Sequence, residues 1–172
     1  MKYIGPDFCN ITTLLSDEEL LIQKTANEFV DKEFMPIVNE YYEKGSFPTE
    51  LIPKMGELGF FGATLPKKYG GSEISSTAYG LIMQELEKGD SGLRSVCSVQ
   101  GGLVMYPIFE YGTEEQKEKW LPQLAQGSAV GCFGLTESNH GSDPGGMTTK
   151  AVKDGDDWII NGAKMWITNG SI

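Results

Sequence analysis

The sequence predicts an α+β chain: an all-α helical segment over residues 1–128, then the opening strands of a β-domain over residues 129–172. Three observations carry this reading. Two capping boxes, Ser16-Asp17-Glu18-Glu19 and Thr113-Glu114-Glu115-Gln116, each head a stretch of helix-forming residues. Between them, apolar residues recur at helical spacing and are punctuated by Gly and Pro. From residue 129 onward the runs become short, alternating or apolar, and are separated by Gly, Asn and Asp, as strands are.

Taken in order, Leu20, Ile22, Ala26, Phe29, Val30 and Ile37 mark the buried stripe of the first helix, which Pro36 should bend or end. Gly45-Ser46-Phe47-Pro48 is a break. A short helix follows from about Thr49 to Leu58, with Gly59 suited to its C-terminal cap. Phe60 to Pro66 is an apolar run, and Lys67-Lys68-Tyr69-Gly70-Gly71-Ser72 a loop whose lysines read as a solvated face. The next helix runs from about Ser76 to Lys88, with Ala78, Leu81, Ile82 and Leu86 on one side. Gly89-Asp90-Ser91 stops it and caps another helix from about Gly92 to Tyr111, interrupted in composition by Gly101-Gly102. Behind Thr113, Pro122 fits the first turn of a separate helix better than the interior of this one. Ala129–Leu135, Lys150–Lys153, Asp157–Ile160 and Lys164–Thr168 read as strands. Four short strands with free edges do not make a stable sheet alone, so the sequence reads as a β-domain begun and not finished.

Composition sets limits on function. The chain has 172 residues, 40% hydrophobic and 22% charged, about one domain's worth of ordinary globular sequence. A net charge of −10 argues against non-specific binding to nucleic acid or anionic lipid, which need a positive surface. Cys9, Cys97 and Cys132 form no CxxC pair, and His140 is the single histidine, so no metal-site spacing exists; the cysteines read as three buried thiols. Met1–Asn10 lacks a signal-peptide core, and no stretch reaches the ~18 apolar residues of a membrane span.

The chemistry concentrates between Gly131 and Met147. There an apolar run opens into the loop Thr136–Gly146, rich in glycine and small polar residues. Backbone amides freed by glycine, with Ser and Thr hydroxyls, suit a phosphate. Neither a P-loop nor a GxGxxG strand–turn–helix fingerprint is present, and as a bare pattern the loop is a turn and Trp166 a core residue. A second segment, Lys164-Met165-Trp166-Ile167-Thr168-Asn169, repeats the order of apolar run, hydroxyl and Asn-Gly. The two threonine-ended segments read as parts of one ligand site.

Leu135-Thr136-Glu137-Ser138-Asn139-His140-Gly141-Ser142-Asp143 resembles the flavin-loop signature of the acyl-CoA dehydrogenases. Trp166-Ile167-Thr168-Asn169 resembles that family's second flavin segment, and Gly112–Gly127 the helix pair that precedes the loop. The resemblance covers the chain from about Asp17 onward. It implies an antiparallel β-barrel or sandwich as the second domain and a C-terminal helical bundle absent from this chain. It implies FAD as cofactor, with Phe133, Gly134 and Leu135 along the isoalloxazine, Thr136 at its pyrimidine end, and Gly141 and Ser142 toward the pyrophosphate and CoA. Trp166 and Ile167 would lie against the ring, with Thr168 near N5. Donors aimed at developing charge are what such a site needs.

Within the family the likeness is greatest to the glutaryl-CoA dehydrogenases, through Glu85–Ser95, Ser98-Val99-Gln100 and Leu103–Ile108. A dicarboxylyl thioester needs a cation at the far end of its pocket, and a guanidinium binds a carboxylate through two parallel hydrogen bonds. By the resemblance Arg94 meets that carboxylate, helped by Ser95 and Ser98, and Glu87 holds Arg94. The reaction implied is oxidation of glutaryl-CoA and decarboxylation to crotonyl-CoA, with an electron-transfer flavoprotein as electron acceptor. A homotetramer in the bacterial cytoplasm or the mitochondrial matrix is expected when the protein is complete. The catalytic base of the family is a glutamate of the C-terminal domain, expected beyond Ile172, so this chain alone is expected neither to turn over acyl-CoA nor to hold FAD tightly. Ser138 stands where the family usually has Pro, and His140 where a small residue is common. Two other readings stay open: an acyl-CoA dehydrogenase for a different substrate, and a helical interaction module without catalysis.

Overall fold

A computed structural model describes residues 7–172; the reading of Met1–Asn10 as lacking a signal-peptide core lies partly outside that range. The first helix, α1 (Asp17–Phe29), opens on the expected capping box, with the Ser16 hydroxyl accepting from the Glu19 amide and the Glu19 carboxylate accepting from the Ser16 amide at 3.0 Å. It runs into one wide π-type turn, Val30–Phe34, and stops there, because Pro36 cannot continue the ladder. Two short helices follow, α2 (Val38–Lys44) and α3 (Leu51–Glu57), separated by Gly45 in the left-handed region.

The core forms where α1 packs on α4 (Ser76–Gly89), and the Phe60–Leu65 run contributes to the same buried cluster. Phe29 and Phe60 meet edge to face at 5.6 Å, and Phe60, Phe61, Ile82, Leu86 and Leu93 are all buried. Burying each such side chain contributes roughly 1.5–3 kcal/mol. One carboxylate is buried among them: Glu85 accepts from Gln23 at 2.8 Å, Asn27 at 3.1 Å and Lys88 at 2.6 Å, so the charge is paired and locks α4 to α1.

The expected helix from Gly92 to Tyr111 is continuous but not uniform. It comprises α5 (Ser91–Ser98), a π segment Val99–Met105 spanning Gly101-Gly102, and α6 (Tyr106–Tyr111). Asp90 caps α5, accepting from Gly92 at 2.7 Å and Leu93 at 3.2 Å. The π segment turns Gln100 into the core, where it is 1% exposed.

Three expectations are corrected. Pro122 lies inside a single helix, α7 (Glu114–Ala125), so no helix pair spans Gly112–Gly127. The lost bond falls on the carbonyl of Glu118, an exposed residue, while buried Leu121, Leu124 and Ala125 hold the helix together across it. Ala129–Leu135 and Lys164–Thr168 are not strands. Among the described residues the one sheet is β1 (Lys150–Asp154) with β2 (Asp157–Asn161), antiparallel, from Lys150 opposite Asn161 to Asp154 opposite Asp157, around a two-residue turn with Gly155 at φ 61°. A strand exists by its ladder, and the other two segments make their hydrogen bonds to side chains and single carbonyls instead. Of the cysteines, Cys97 is buried and donates to the Phe60 carbonyl, but Cys9 and Cys132 are exposed, because both lie on segments outside the helical core.

Candidate functional site

The Asp90 cap sets the start of α5, and that start puts Arg94 and Ser98 one turn apart on the same side of the helix. Arg94 Nη1 donates to Ser98 Oγ at 3.2 Å, and its Nε donates to Glu87 Oε2 at 2.6 Å. Glu87 comes from the last turn of α4 and takes its other hydrogen bond from Ser91 at 2.7 Å. The Arg94 guanidinium and then the Ser91 hydroxyl hold the Glu87 carboxyl below its ordinary pKa. Glu87, Arg94 and Ser98 therefore form one cluster. A guanidinium has five N–H donors in a planar fork. Among the described residues the Arg94 Nη2 group meets no acceptor, so one edge of the fork remains available to an anion.

Ser95 points elsewhere. With Gly92 and Val96 it lines one wall of a cleft of about 420 Å³ whose other wall is Ile167, Thr168, Asn169, Ser171 and Ile172. The start of α5 and the second loop segment, distant in sequence, thus share a cavity.

The segment leading to the loop is anchored to the helical half around Gly131. The Gly131 amide donates to Gln100 Oε1 at 2.9 Å, and the Gly131 carbonyl accepts from Asn169 Nδ2 at 3.1 Å. Gln100 Nε2 donates in turn to the carbonyls of Leu124 at 2.9 Å and Ala129 at 2.8 Å. Only glycine fits there, since a Cβ at residue 131 would lie 2.4 Å from Val104 Cγ1. Beyond this anchor the chain is extended and open. Phe133 is 43% exposed, Gly134 and Leu135 are also exposed, and among the described residues the amides of Phe133, Gly134, Leu135 and Thr136 donate to no protein acceptor. Beside them the Thr136 carbonyl accepts from the Met165 amide at 2.8 Å, which brings the two loop segments together. Trp166 follows at φ 59° and is 86% exposed, so it is not the core residue its bare pattern implies. Ile167 is half-buried and Thr168 exposed in the turn after it.

Below Thr136 lies a charged pair. Glu137 is 5% exposed. It accepts from the Thr148 amide at 2.7 Å, the Thr148 hydroxyl at 2.9 Å, the Thr149 amide at 2.9 Å and Lys164 Nζ at 2.9 Å. The Thr149 hydroxyl, which completes no hydrogen bond of its own, also faces it. That hydroxyl, the Thr148 amide and Lys164 hold the Glu137 carboxyl far below the usual range. Gly141 and Ser142 stand on the exposed tip of the loop, and no contact joins them to the Arg94 cluster among the described residues. His140 folds back inside the loop, its Nδ1 2.5 Å from where a Cβ at Gly146 would be.

Gln100, Glu137, Lys164 and Asn169 escape assignment in the sequence, although all stand within quoted motifs. The signal for Glu137 and Lys164 is opposite charge in two short segments otherwise made of small or apolar residues. Gln100 carries none, since its role depends on a π turn. Among the described residues no cluster of His, Cys, Asp or Glu could hold a metal, and no helix is long and apolar enough to cross a membrane. A second cavity, about 490 Å³ between α6, α7 and Ala129–Gly131, contains none of the residues the sequence puts forward for cofactor or substrate.

Comparison with known proteins gives this geometry a family. The acyl-CoA dehydrogenase N-terminal domain matches residues 16–128, and the acyl-CoA dehydrogenase middle domain matches residues 132–172. A probable acyl-CoA dehydrogenase of Bacillus subtilis is 43% identical over 159 residues, 91% of this chain and 41% of that protein. The mitochondrial short-chain specific acyl-CoA dehydrogenase of Bos taurus is 36% identical over 155 residues, 90% of this chain and 38% of that protein. Among solved structures, glutaryl-CoA dehydrogenase of Mycobacterium smegmatis superposes with a TM-score of 0.92 at 51% identity, covering 96% of this chain and 43% of that one. A glutaryl-CoA dehydrogenase of the same organism in complex with FADH2 gives 0.92 at 49%, covering 95% and 42%. The chain spans about two fifths of the length of the relatives it matches. This chain belongs to the acyl-CoA dehydrogenase family.

Proposed function

We propose that the chain forms the helical and flavin-facing part of an FAD-dependent enzyme that dehydrogenates an acyl-CoA thioester carrying a distal carboxylate, of the glutaryl-CoA type. The observation that carries this is the Arg94 cluster at the start of α5, whose neighbour Ser95 shares a cleft with Thr168. The open segment fits a flavin. It offers unpaired amides from Phe133 to Thr136 beside exposed apolar side chains, Phe133, Leu135 and Trp166, the combination that a flat ring with a polar edge requires. Phe133, Gly134, Leu135 and Thr136 with Trp166, Ile167 and Thr168 would hold the isoalloxazine, and Gly141 and Ser142 the phosphates. When bound, the flavin supplies the hydride acceptor.

The chain's own residues bind and orient. Arg94 offers its free edge to the carboxylate, Ser95 and Ser98 supply hydroxyls, and Glu87 fixes the guanidinium plane. Because Glu87 already neutralises Arg94, the incoming carboxylate meets a balanced pair rather than a bare cation, which favours release of CO2 from that end over its retention. Removal of the α-proton is assigned to none of these residues. Reoxidation by an electron-transfer flavoprotein and a homotetrameric assembly belong to the same proposal, as does a location in the bacterial cytoplasm or, in a eukaryote, the mitochondrial matrix.

The test compares glutaryl-CoA and butyryl-CoA in the full-length protein and its Arg94→Ala variant. A charge-assisted hydrogen bond is worth about 1.5–3 kcal/mol, so kcat/KM for glutaryl-CoA should fall about 10–150-fold. Butyryl-CoA turnover should change little. If glutaryl-CoA turnover survives the substitution, the carboxylate reading fails, and the resemblance to short-chain enzymes becomes the better guide to substrate.

A further inference from the structure

Three stretches of the loop region, Leu135–Glu137, Thr148-Thr149 and Lys164-Met165, belong to no common ladder. One backbone hydrogen bond, Met165 amide to Thr136 carbonyl, links the outer two. What joins all three is a single pair of side chains. Glu137 gathers the amides of Thr148 and Thr149 and the Lys164 ammonium, and Lys164 reaches past it to the Leu135 carbonyl at 2.9 Å and to Met147 Sδ at 3.6 Å. Lys164 also packs its stem against the backbone, its Cγ lying 3.3 Å from where a Cβ at Gly134 would be. The Glu137 side chain is 6% exposed and that of Lys164 21%, so water screens this pair far less than a surface pair.

We infer that the Glu137–Lys164 pair is a clamp that holds the segment Phe133–Thr136 in shape before any ligand arrives, and that both are positioning residues for the cofactor. The inference rests on the flavin reading above for the identity of that cofactor, but the clamp itself is a property of the free chain. Two physical effects follow from the geometry. First, the clamp replaces the missing ladder: Oε2 of Glu137 holds Thr148 while Oε1 holds both Thr149 and Lys164, so one carboxylate draws two stretches toward Thr136 and the open amides keep one arrangement without a neighbouring strand. Second, Lys164 acts through a peptide group. The Leu135 carbonyl that accepts the ammonium and the Thr136 amide belong to the same peptide unit. A carbonyl polarised by a cation makes its N–H a stronger donor. The amide that the cofactor would meet is thus both aimed and strengthened by residues that need not touch it.

The test uses the full-length protein and needs no turnover. Amide hydrogen exchange is measured for the wild type and for Lys164→Met, Lys164→Arg and Glu137→Gln, with and without FAD, the α4 and α5 amides reporting the integrity of the helical half. Lys164 lies outside the core, so its variants keep the fold if Glu137→Gln does not. The expected result is tenfold or faster exchange at Thr148, Thr149 and Met165 in Lys164→Met and Glu137→Gln, unchanged α4 and α5, and partial recovery in Lys164→Arg. FAD should slow exchange at Phe133–Thr136 in the wild type and Lys164→Arg, and at least tenfold higher FAD should be needed in Lys164→Met. Unchanged exchange at Thr148, Thr149 and Met165 in both Lys164→Met and Glu137→Gln overturns the clamp, whatever FAD does. Clamp-dependent exchange that FAD leaves untouched at every amide upholds the clamp and refutes the flavin reading.

Discussion

Replacing Gln100 should uncouple the helical half from the loop region, and the size of the effect can be worked out from its contacts. The side chain is 1% exposed and makes hydrogen bonds of 2.9 Å to the Leu124 carbonyl, 2.8 Å to the Ala129 carbonyl and 2.9 Å from the Gly131 amide. Gln100→Leu preserves volume and removes all three. Each buried hydrogen bond contributes about 1 kcal/mol net, and partners left without one cost about 1–3 kcal/mol each where water cannot reach them. The Gly131 and Ala129 groups are only partly buried, so water recovers some of this and the expected loss is about 3–4 kcal/mol. That is a large share of the roughly 5–15 kcal/mol that holds a domain folded. For a chain of this size it lowers Tm by about 10 °C, at ~2–4 °C per kcal/mol. Tryptophan fluorescence in a thermal melt gives Tm, and hydrogen exchange at the Gly131 amide localises the change. Gln100→Glu provides the control, since it keeps an acceptor for Gly131 but turns a carboxylate toward two carbonyls. Its stability should recover as the pH falls and the carboxyl, once protonated, can donate. A loss below about 1 kcal/mol in Gln100→Leu, with Gly131 exchange unchanged, refutes the idea that Gln100 anchors the loop.

Other outcomes follow from single contacts. The Glu137 carboxyl is held far below its ordinary value of 4.5, so the stability it contributes is present above that value and is lost progressively as the pH falls toward the much lower folded value; the gap in urea midpoint between wild type and Glu137→Gln should begin to narrow as the pH drops below 4.5 and still be open at pH 3. Asp90→Ala removes the α5 cap and should cost about 1 kcal/mol by denaturant unfolding, and an unchanged midpoint would show that the cap is dispensable. Pro122→Ala restores the missing helical bond in α7 against a more flexible unfolded chain, so a net gain of about 1 kcal/mol is expected; a lower Tm would mean that the ring packs better than its cost.

Local chemistry made much of the fold legible. Ser16 with Glu19 and Thr113 with Gln116 begin helices where the capping pattern says they should, because the hydrogen bonds concerned close within one turn. Asp90 ends one helix and starts the next for the same reason. Pro122 was misread because proline's penalty is local while its compensation, the burial of Leu121 and Leu124, is not. The loop segments were misread as strands for the mirror-image reason: alternation marks what could pair, and pairing needs a neighbour.

The sequence alone determined the helical half and the point where the pattern changes near residue 129, and it singled out candidate site residues, Arg94 with its serines and the glycine-rich loop before Trp166. Tertiary structure decided who touches whom. It turned Ser95 toward Thr168 and bent a helix into a π turn so that Gln100 could hold Gly131. It also placed Lys164 on Glu137 and Leu135 across a long stretch of chain. The physical reason is range. Caps and breakers act within a turn and can be read from neighbours in the chain, whereas a buried polar group is satisfied by whatever packing brings within 3 Å, and no spacing in the sequence encodes that.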